Sequence, residues 1–282
     1  MTVLGVDVGG TSVRVCAQRG AVAARPTPGS YAEFIETIAA LAPPEPVSSV
    51  VVGLPGATGT DVPRWIPALR WMDGRPLAAD LSERLGGATV ALANDAQLAL
   101  LAEVREGAAR GVRDAVLVSV GTGVGGAIML GGRIVRGANG TAGSFGWLPS
   151  AGVDPTADHG ALELAASGSA LDRLAGPGRD GPDLVAAARA GDRSARAVLD
   201  AWATALGTGI AALASILDPE LVVISGGLCT AFDAYAEALR AAVTRCGSPD
   251  ARRVPIVPAA LGGDAGVIGA RYAAAEGKEL WS

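Results

Sequence analysis

Val3-Leu4-Gly5-Val6-Asp7-Val8-Gly9-Gly10-Thr11-Ser12-Val13-Arg14-Val15-Cys16-Ala17 stands near the start of the chain, and its reading decides the fold. Short apolar, β-branched runs flank a Gly-Gly-Thr turn, which is the pattern of two strands joined as a hairpin. The arrangement returns further on. Val116 to Val120 is apolar, Gly121-Thr122-Gly123-Val124-Gly125-Gly126 follows, and Ala127 to Leu130 resumes as a strand before the Gly131-Gly132 turn and Arg133 to Val135. A strand, glycine turn, strand unit that occurs twice points to two related lobes.

Working outward, Tyr31 to Leu41 has helical spacing and is stopped by Pro43-Pro44. Val47 to Leu54 is an apolar run ending at Pro55-Gly56, and Leu77 to Leu85 reads as a short helix. Thr89 to Ala93 is strand-like and leads through Asn94-Asp95 into a helix over Ala96 to Glu106. In the second half, Leu162 to Leu174, Leu184 to Ile216, Ala231 to Val243 and Ala265 to Ala275 are helical in pattern. Leu221 to Ile224 is a buried strand that runs into Ser225-Gly226-Gly227, and Val254 to Pro258 is a last strand. Strands precede helices in each half, so the fold class is α/β. The expected division is an N-terminal lobe over residues 1–111 and a C-terminal lobe over 112–282, with the last helix packing back on the first lobe.

Composition narrows the function. Of 282 residues, 50% are hydrophobic and 18% charged, which is a core-forming balance and not that of a disordered chain. The net charge is −5 and no basic stripe occurs, so a nucleic-acid partner is not expected. Lys278 is the one lysine, which excludes chemistry built on a P-loop lysine. Cys16, Cys229 and Cys246 are widely separated and form no zinc-type spacing. No uninterrupted apolar run has the roughly 18 residues of a membrane span. The first residues enter a strand without a basic leader, so the expectation is a soluble, cytoplasmic protein without a membrane partner.

Four segments carry chemistry. Asp7-Val8-Gly9-Gly10-Thr11 is either a plain hairpin turn or an anion nest, since glycines let backbone N–H groups approach a phosphate. Asp7 at a strand end could hold Mg²⁺ through water. Gly121-Thr122-Gly123-Val124-Gly125-Gly126 is neither a Walker loop nor a dinucleotide fingerprint, because no Lys-Ser/Thr follows and a strand, not a helix, comes next. Two such turns suit a nucleotide whose phosphates lie between two lobes. Asn94-Asp95 reads equally as a helix cap or as the carboxylate that takes a proton from an attacking hydroxyl. Ser225-Gly226-Gly227-Leu228 is a tight turn or a flat surface for an adenine ring.

Taken in order, DVGGT at Asp7, Pro55-Gly56, NDAQLALLAE from Asn94, VSVGTGVGGAI from Val118, LELAASGSAL from Leu162, ILDPELVVISGG from Ile216 and LGGDAGVIGA from Leu261 resemble the ROK family (repressor, open reading frame, kinase). The resemblance runs over nearly the whole chain. It implies two ribonuclease-H-like lobes of the actin/hexokinase type around an ATP cleft, with ATP and Mg²⁺ as cofactors, a sugar-like small molecule as substrate and a homodimer. By position it implies that Asp7, Gly9, Gly10 and Thr11 form one phosphate loop and Gly121, Thr122 and Gly123 the other. Gly226 and Gly227 would lie by the adenosine. Asn94 would bond substrate hydroxyls, Asp95 would be the base, and Pro55, Gly56 and Glu163 would lie on the sugar side.

The departures from the family pattern are also specific. Where sugar kinases of the family carry Glu-x-Gly-His, this chain has Ser144-Phe145-Gly146-Trp147. Where they carry a cysteine-rich zinc segment ending in Glu, it has Asp158-His159-Gly160-Ala161-Leu162-Glu163. The family's Pro-Asn-Leu is Pro67-Ala68-Leu69, with Trp71 after it. No structural zinc is expected, and His159 reads as an incidental loop residue. Ser144 and Trp147 alter the sugar side alone, which favours an amino sugar or a C7-cyclitol over glucose. A conventional glucokinase or N-acetylhexosamine kinase is the alternative. A non-catalytic sugar sensor is a third reading, but retention of Asp95 and both glycine turns argues against it.

Overall fold

The computed structural model describes residues 2–17, 20–58 and 61–277, so Lys278 lies outside the described residues. In chain order the elements are β1 (Thr2–Val8), β2 (Ser12–Ala17), β3 (Ala23–Pro26), α1 (Tyr31–Leu41), β4 (Val47–Leu54), β5 (Ala57–Thr58), β6 (Pro63–Trp65), α2 (Leu77–Arg84), β7 (Thr89–Asn94) and α3 (Asp95–Glu106). There follow β8 (Ala115–Val120), β9 (Val124–Leu130), β10 (Arg133–Ile134), α4 (Ala161–Ala166), α5 (Gly168–Ala175), α6 (Gly181–Arg189), α7 (Arg193–Leu217), β11 (Leu221–Ser225), α8 (Phe232–Cys246), β12 (Ile256–Pro258) and α9 (Ala265–Glu276). The chain forms two compact units. One comprises residues 1–111, 128–142 and 261–282, the other 112–127 and 143–260. The first unit includes the segment with α9, the helix expected to pack back on the first lobe, and also residues 128–142, which the division at 111/112 assigned to the second lobe and where Arg136 Nη2 donates to Leu92 O at 3.2 Å.

The first unit holds a five-stranded sheet in the order β3-β2-β1-β4-β7. β1 pairs antiparallel with β2, so that Asp7 stands opposite Arg14, and parallel with β4, so that Asp7 stands beside Gly53. β4 pairs parallel with β7, and Leu54 is matched to Asn94. The two parallel pairings place Asp7, Pro55 and Asn94 at or just beyond the carboxyl ends of adjacent strands, where open α/β sheets bind ligands. Leu4, Val6, Val50, Val52, Phe34, Ile38, Leu77 and Leu81 are buried together on one side of this sheet. Burial of each such side chain is worth about 1.5–3 kcal/mol. On the other side α9 packs directly on β1, β4 and α3. Glycine makes that approach possible: a Cβ on Gly5 would stand 2.5 Å from Val267 O, and one on Gly269 would overlap Leu98 O.

The second sheet has the order β10-β9-β8-β11-β12, with β8, β11 and β12 parallel. Ser119 at the end of β8 is matched to Ser225 at the end of β11. β9 begins at Val124, three residues earlier than its periodicity predicts, because Gly125 and Gly126 belong to the strand and not to the turn. Gly126 is there for space, since a Cβ on it would stand 2.5 Å from the Phe145 ring.

Two helices read as continuous in the sequence are each broken. Ser167 separates α4 from α5, its hydroxyl accepting from Ala170 N at 3.0 Å. Asp192 separates α6 from α7 and accepts from Ser194 N and Ala195 N. Both are N-caps inside an apolar-periodic run, and capping satisfies backbone donors that would otherwise be orphaned. α7 has 25 residues and contains an 18-residue window of mean hydropathy 1.5, so it is long and apolar enough to cross a membrane by length and composition. Its apolar face, however, buries Leu199, Trp202, Leu206, Ile210 and Leu213 within the second unit, where it packs on α4, α5, α6 and α8. The Trp202 indole donates to Ser167 O at 3.0 Å.

Candidate active site

In the first unit the hairpin turn between β1 and β2 is tied down on both sides. Gly9 N donates to Ser12 O at 2.9 Å, while the Thr27 hydroxyl donates to Gly9 O at 2.7 Å and Thr27 N to Thr11 O at 3.1 Å. Gly10 and Thr11 are left exposed at the tip. Below the turn, Asp7 is enclosed by glycine. A Cβ on Gly266 would stand 2.6 Å from Asp7 Oδ1, and one on Gly53 would stand 3.5 Å away. Burial pushes the Asp7 carboxyl up to about 6 against the pull of Arg14, with Asp264 adding to the rise. Arg14 Nη1 lies 3.7 Å from Asp7 Oδ2 and donates to Gly263 O at 2.9 Å. Its Nε lies 3.8 Å from Asp264.

Asn94 caps α3. Its Oδ1 accepts from Ala96 N at 3.0 Å and Gln97 N at 3.4 Å, and its Nδ2 donates to Gly56 O at 3.2 Å. That last bond brings Pro55-Gly56 and Asn94-Asp95 together, and Gly56 takes φ +108° to make the turn. Asp95 is the first residue of α3, its Oδ1 accepting from Ala96 N at 2.7 Å. The helix N-terminus favours the ionised form. Burial and the neighbouring Asp7 charge outweigh it and push the Asp95 carboxyl up to about 7. A carboxyl raised by burial and by a neighbouring carboxylate is chemically able to accept a proton near neutral pH. Gln97, two residues on, is buried with neither amide atom partnered.

In the second unit the glycine turn is closed by Gly121 N donating to Gly123 O at 3.0 Å. Gly168 N of α5 donates to Gly121 O at 2.7 Å. Glu163 on α4 reaches the same turn, and its Oε2 accepts from Val124 N at 2.9 Å. A side chain at position 123 would collide with that carboxylate. Gly226 takes φ +86° so that its backbone can pack on Val120, and Gly227 N comes within 4.0 Å of where a Gly121 Cβ would stand. Gly121-Thr122-Gly123 and Gly226-Gly227 thus form one glycine-walled surface at the ends of β8 and β11. Such a surface fits a nucleotide, whose phosphates and ring need close backbone approach.

Ser144 precedes a short 3₁₀ turn, and its carbonyl accepts from Trp147 N at 3.1 Å. Trp147 is 54% exposed, and its backbone abuts Gly160. His159, read from the sequence as incidental, places Nδ1 2.8 Å from Glu163 Oε1. The four-residue spacing of His159 and Glu163 was the available signal. Arg14, opposite Asp7 across the hairpin, was likewise legible from the register. Asp264 and Gly266 near Asp7 were not, since they come from the distant α9 segment. Among the described residues no group of three or more His, Cys, Asp or Glu is placed to hold a metal ion.

The sequence matches the ROK family description over residues 3–276. The chain belongs to the ROK family. A bifunctional enzyme NanE/NanK from Brucella melitensis is 43% identical over 196 residues, covering 67% of this chain and 36% of that protein. The chain therefore spans only about a third of the length of that curated relative. An N-acetylgalactosamine kinase AgaK from a Shewanella species is 30% identical, over 79% of this chain and 81% of its own. The crystal structure of a ROK family glucokinase from Streptomyces griseus in complex with glucose and AMPPNP superposes with a TM-score of 0.80 at 28% identity, covering 98% of this chain and 100% of that one. The expected actin/hexokinase-type α/β class with two sheets holds for this ROK chain.

Proposed function

We propose that this chain is an ATP-dependent kinase that phosphorylates the exocyclic hydroxymethyl group of a sugar or pseudosugar, with Asp95 as general base. The observation that carries the reading is the placement of Asp7 and Asp95 at the carboxyl ends of parallel strands, where burial and the Asp7 charge push the Asp95 carboxyl up to about 7. A carboxyl raised in this way is a stronger base than an ordinary carboxylate and can accept a hydroxyl proton, an effect worth roughly 10²–10⁴-fold. Asp95 would take the acceptor's proton and hold its oxygen in line, while Asn94 fixes the start of α3 and the Pro55-Gly56 turn.

Asp7 fits an outer-sphere Mg²⁺ role: it is a buried carboxylate in a glycine enclosure whose own charge is disfavoured until a cation compensates it. The Gly9-Gly10-Thr11 tip and the Gly121-Thr122-Gly123 turn would cradle phosphates. Gly226-Gly227 would lie under the adenosine. MgATP supplies the transferable phosphoryl group, and turn amides stabilise the charge that develops on it. The AMPPNP complex of the Streptomyces griseus relative supports the nucleotide.

For the acceptor, an amino sugar or C7-cyclitol is favoured. Ser144 and an exposed Trp147 replace a carboxylate and an imidazole, and the N-acetylgalactosamine kinase relative supports an amino-sugar substrate. A conventional glucokinase is the second reading, supported by the Streptomyces griseus enzyme. An ATP-consumption assay across hexoses, amino sugars and cyclitols separates them, and glucose outcompeting all others in kcat/KM sinks the favoured one. Asp95→Asn should retain ATP binding and lose at least a hundredfold in kcat. Full turnover by that variant refutes the mechanism. A soluble, cytoplasmic homodimer completes the proposal, and a monomer mass in solution removes that part.

A further inference from the structure

His159 is held more tightly than an exposed loop residue needs to be. Its main-chain N donates to Thr156 Oγ1 at 3.0 Å, as does Asp158 N at 3.3 Å, and its carbonyl accepts from Thr156 N at 2.8 Å. Its ring is fixed by Glu163 Oε1 at 2.8 Å. Yet the side chain is 58% exposed, so none of this anchoring buries it. An ionised carboxylate only accepts, so the hydrogen of that bond sits on Nδ1, and Nε2 is the group the ring offers outward. Glu163, for its part, is committed at both oxygens, Oε2 to Val124 N in the glycine turn and Oε1 to His159. The carboxylate that the family pattern places on the sugar therefore acts here as a clamp between the glycine turn and an imidazole. Gly160, next in sequence, packs against the backbone of Trp147, whose indole is 54% exposed. An aromatic face and an oriented imidazole nitrogen standing on adjoining backbone are what a polyol ring needs: an apolar wall for its C–H face and a polar group for a hydroxyl.

We infer that His159 is a specificity-determining residue of the acceptor site, its Nε2 bonding a ring hydroxyl of a sugar or cyclitol, with Glu163 as the positioning residue that aims it. The inference rests on the kinase reading for the identity of the ligand class.

The test measures binding of glucose, N-acetylgalactosamine and a C7-cyclitol by calorimetry without ATP, and steady-state kinetics with ATP, on the full chain and two variants. His159→Asn keeps a donor where Nδ1–H stands and removes Nε2. His159→Gln places an amide near Nε2. The expected result is that Asn weakens binding of the preferred probe and raises its KM about two- to tenfold, the range of a lost neutral hydrogen bond. KM for ATP and Tm should stay unchanged, and Gln should recover part of the loss. Equal acceptor affinity in wild type and His159→Asn overturns the inference. A loss of Tm in both variants with no selective change in acceptor binding shows a structural role and overturns it too, as does failure of the wild-type chain to bind any probe. A wild-type chain that binds a probe, loses it on His159→Asn and never consumes ATP sinks the kinase reading and leaves this inference standing.

Discussion

Replacing Asp95 with asparagine should make the protein more stable, and more so as the pH rises. The Asp95 carboxyl is raised from 3.8 to about 7 by burial and by the charge of Asp7. Between those two values the folded chain binds a proton that the unfolded chain has released, so folding becomes less favourable as pH climbs through the interval. Above about 7 the cost is complete, because both states are ionised and only the folded one holds the charge in a poor environment. The interval of about three pH units corresponds to about 4 kcal/mol at 1.36 kcal/mol per unit. Solvent reaches this half-buried side chain, and the asparagine amide loses part of the bond to Ala96 N, so a gain of about 2 kcal/mol at pH 8 is the working figure. For a chain of this size that is a rise on the order of 4 °C in Tm. The assay is thermal unfolding of wild type and Asp95→Asn from pH 4 to pH 8.5, without nucleotide or divalent cation. The Tm difference should be small at pH 4, grow up to about pH 7 and then level off. A difference independent of pH, or a variant less stable than wild type at pH 8, refutes the electrostatic account of the site.

Gly123→Ala drives a methyl into the Glu163 carboxylate. It should lower kcat/KM for ATP by about tenfold or more and cost about 1–3 kcal/mol of stability, the usual range for overpacking. Unchanged kinetics and Tm remove Gly123 from the nucleotide surface. Gln97→Met deletes two buried amide atoms that have no partner and keeps the side-chain length. It should raise stability by about 1–2 kcal/mol in denaturant unfolding. A fall instead shows that the amide serves an ordered water or a ligand next to Asp95.

Much of this was legible in the sequence, for identifiable reasons. The β1–β2 hairpin, β4, β7 and α3 follow from local patterns, and they deliver Asp7 and Asp95 to strand ends with no further information. Asp95 as a cap or as a base was not separable on spacing. In the structure Asn94 is the N-cap of α3 and Asp95 its first residue, whose Oδ1 also accepts from Ala96 N. The break at Ser167 was hidden because apolar periodicity continues across it, and only the hydroxyl bond to Ala170 N reveals a new helix start. Gly125 and Gly126 read as turn because glycine is the default turn residue. Here Gly126 is a strand residue that leaves room for the Phe145 ring, a tertiary demand that no local rule contains. The bond between His159 and Glu163 was not read from the sequence, although their four-residue spacing allowed it.

The order in which the chain visits its two units has a consequence for its biosynthesis. β1, β4 and α3 leave the ribosome early, but α9, the helix that seats on Gly5 and against Leu98, is made only after residues 143–260 of the other unit. Until then one side of the first sheet has no cover, and nascent apolar strands in that condition are targets for aggregation and for chaperones. The first unit cannot be completed while it is being translated. The second can close around α7 and α8 beforehand, so the half of the protein that begins first is the half that finishes last.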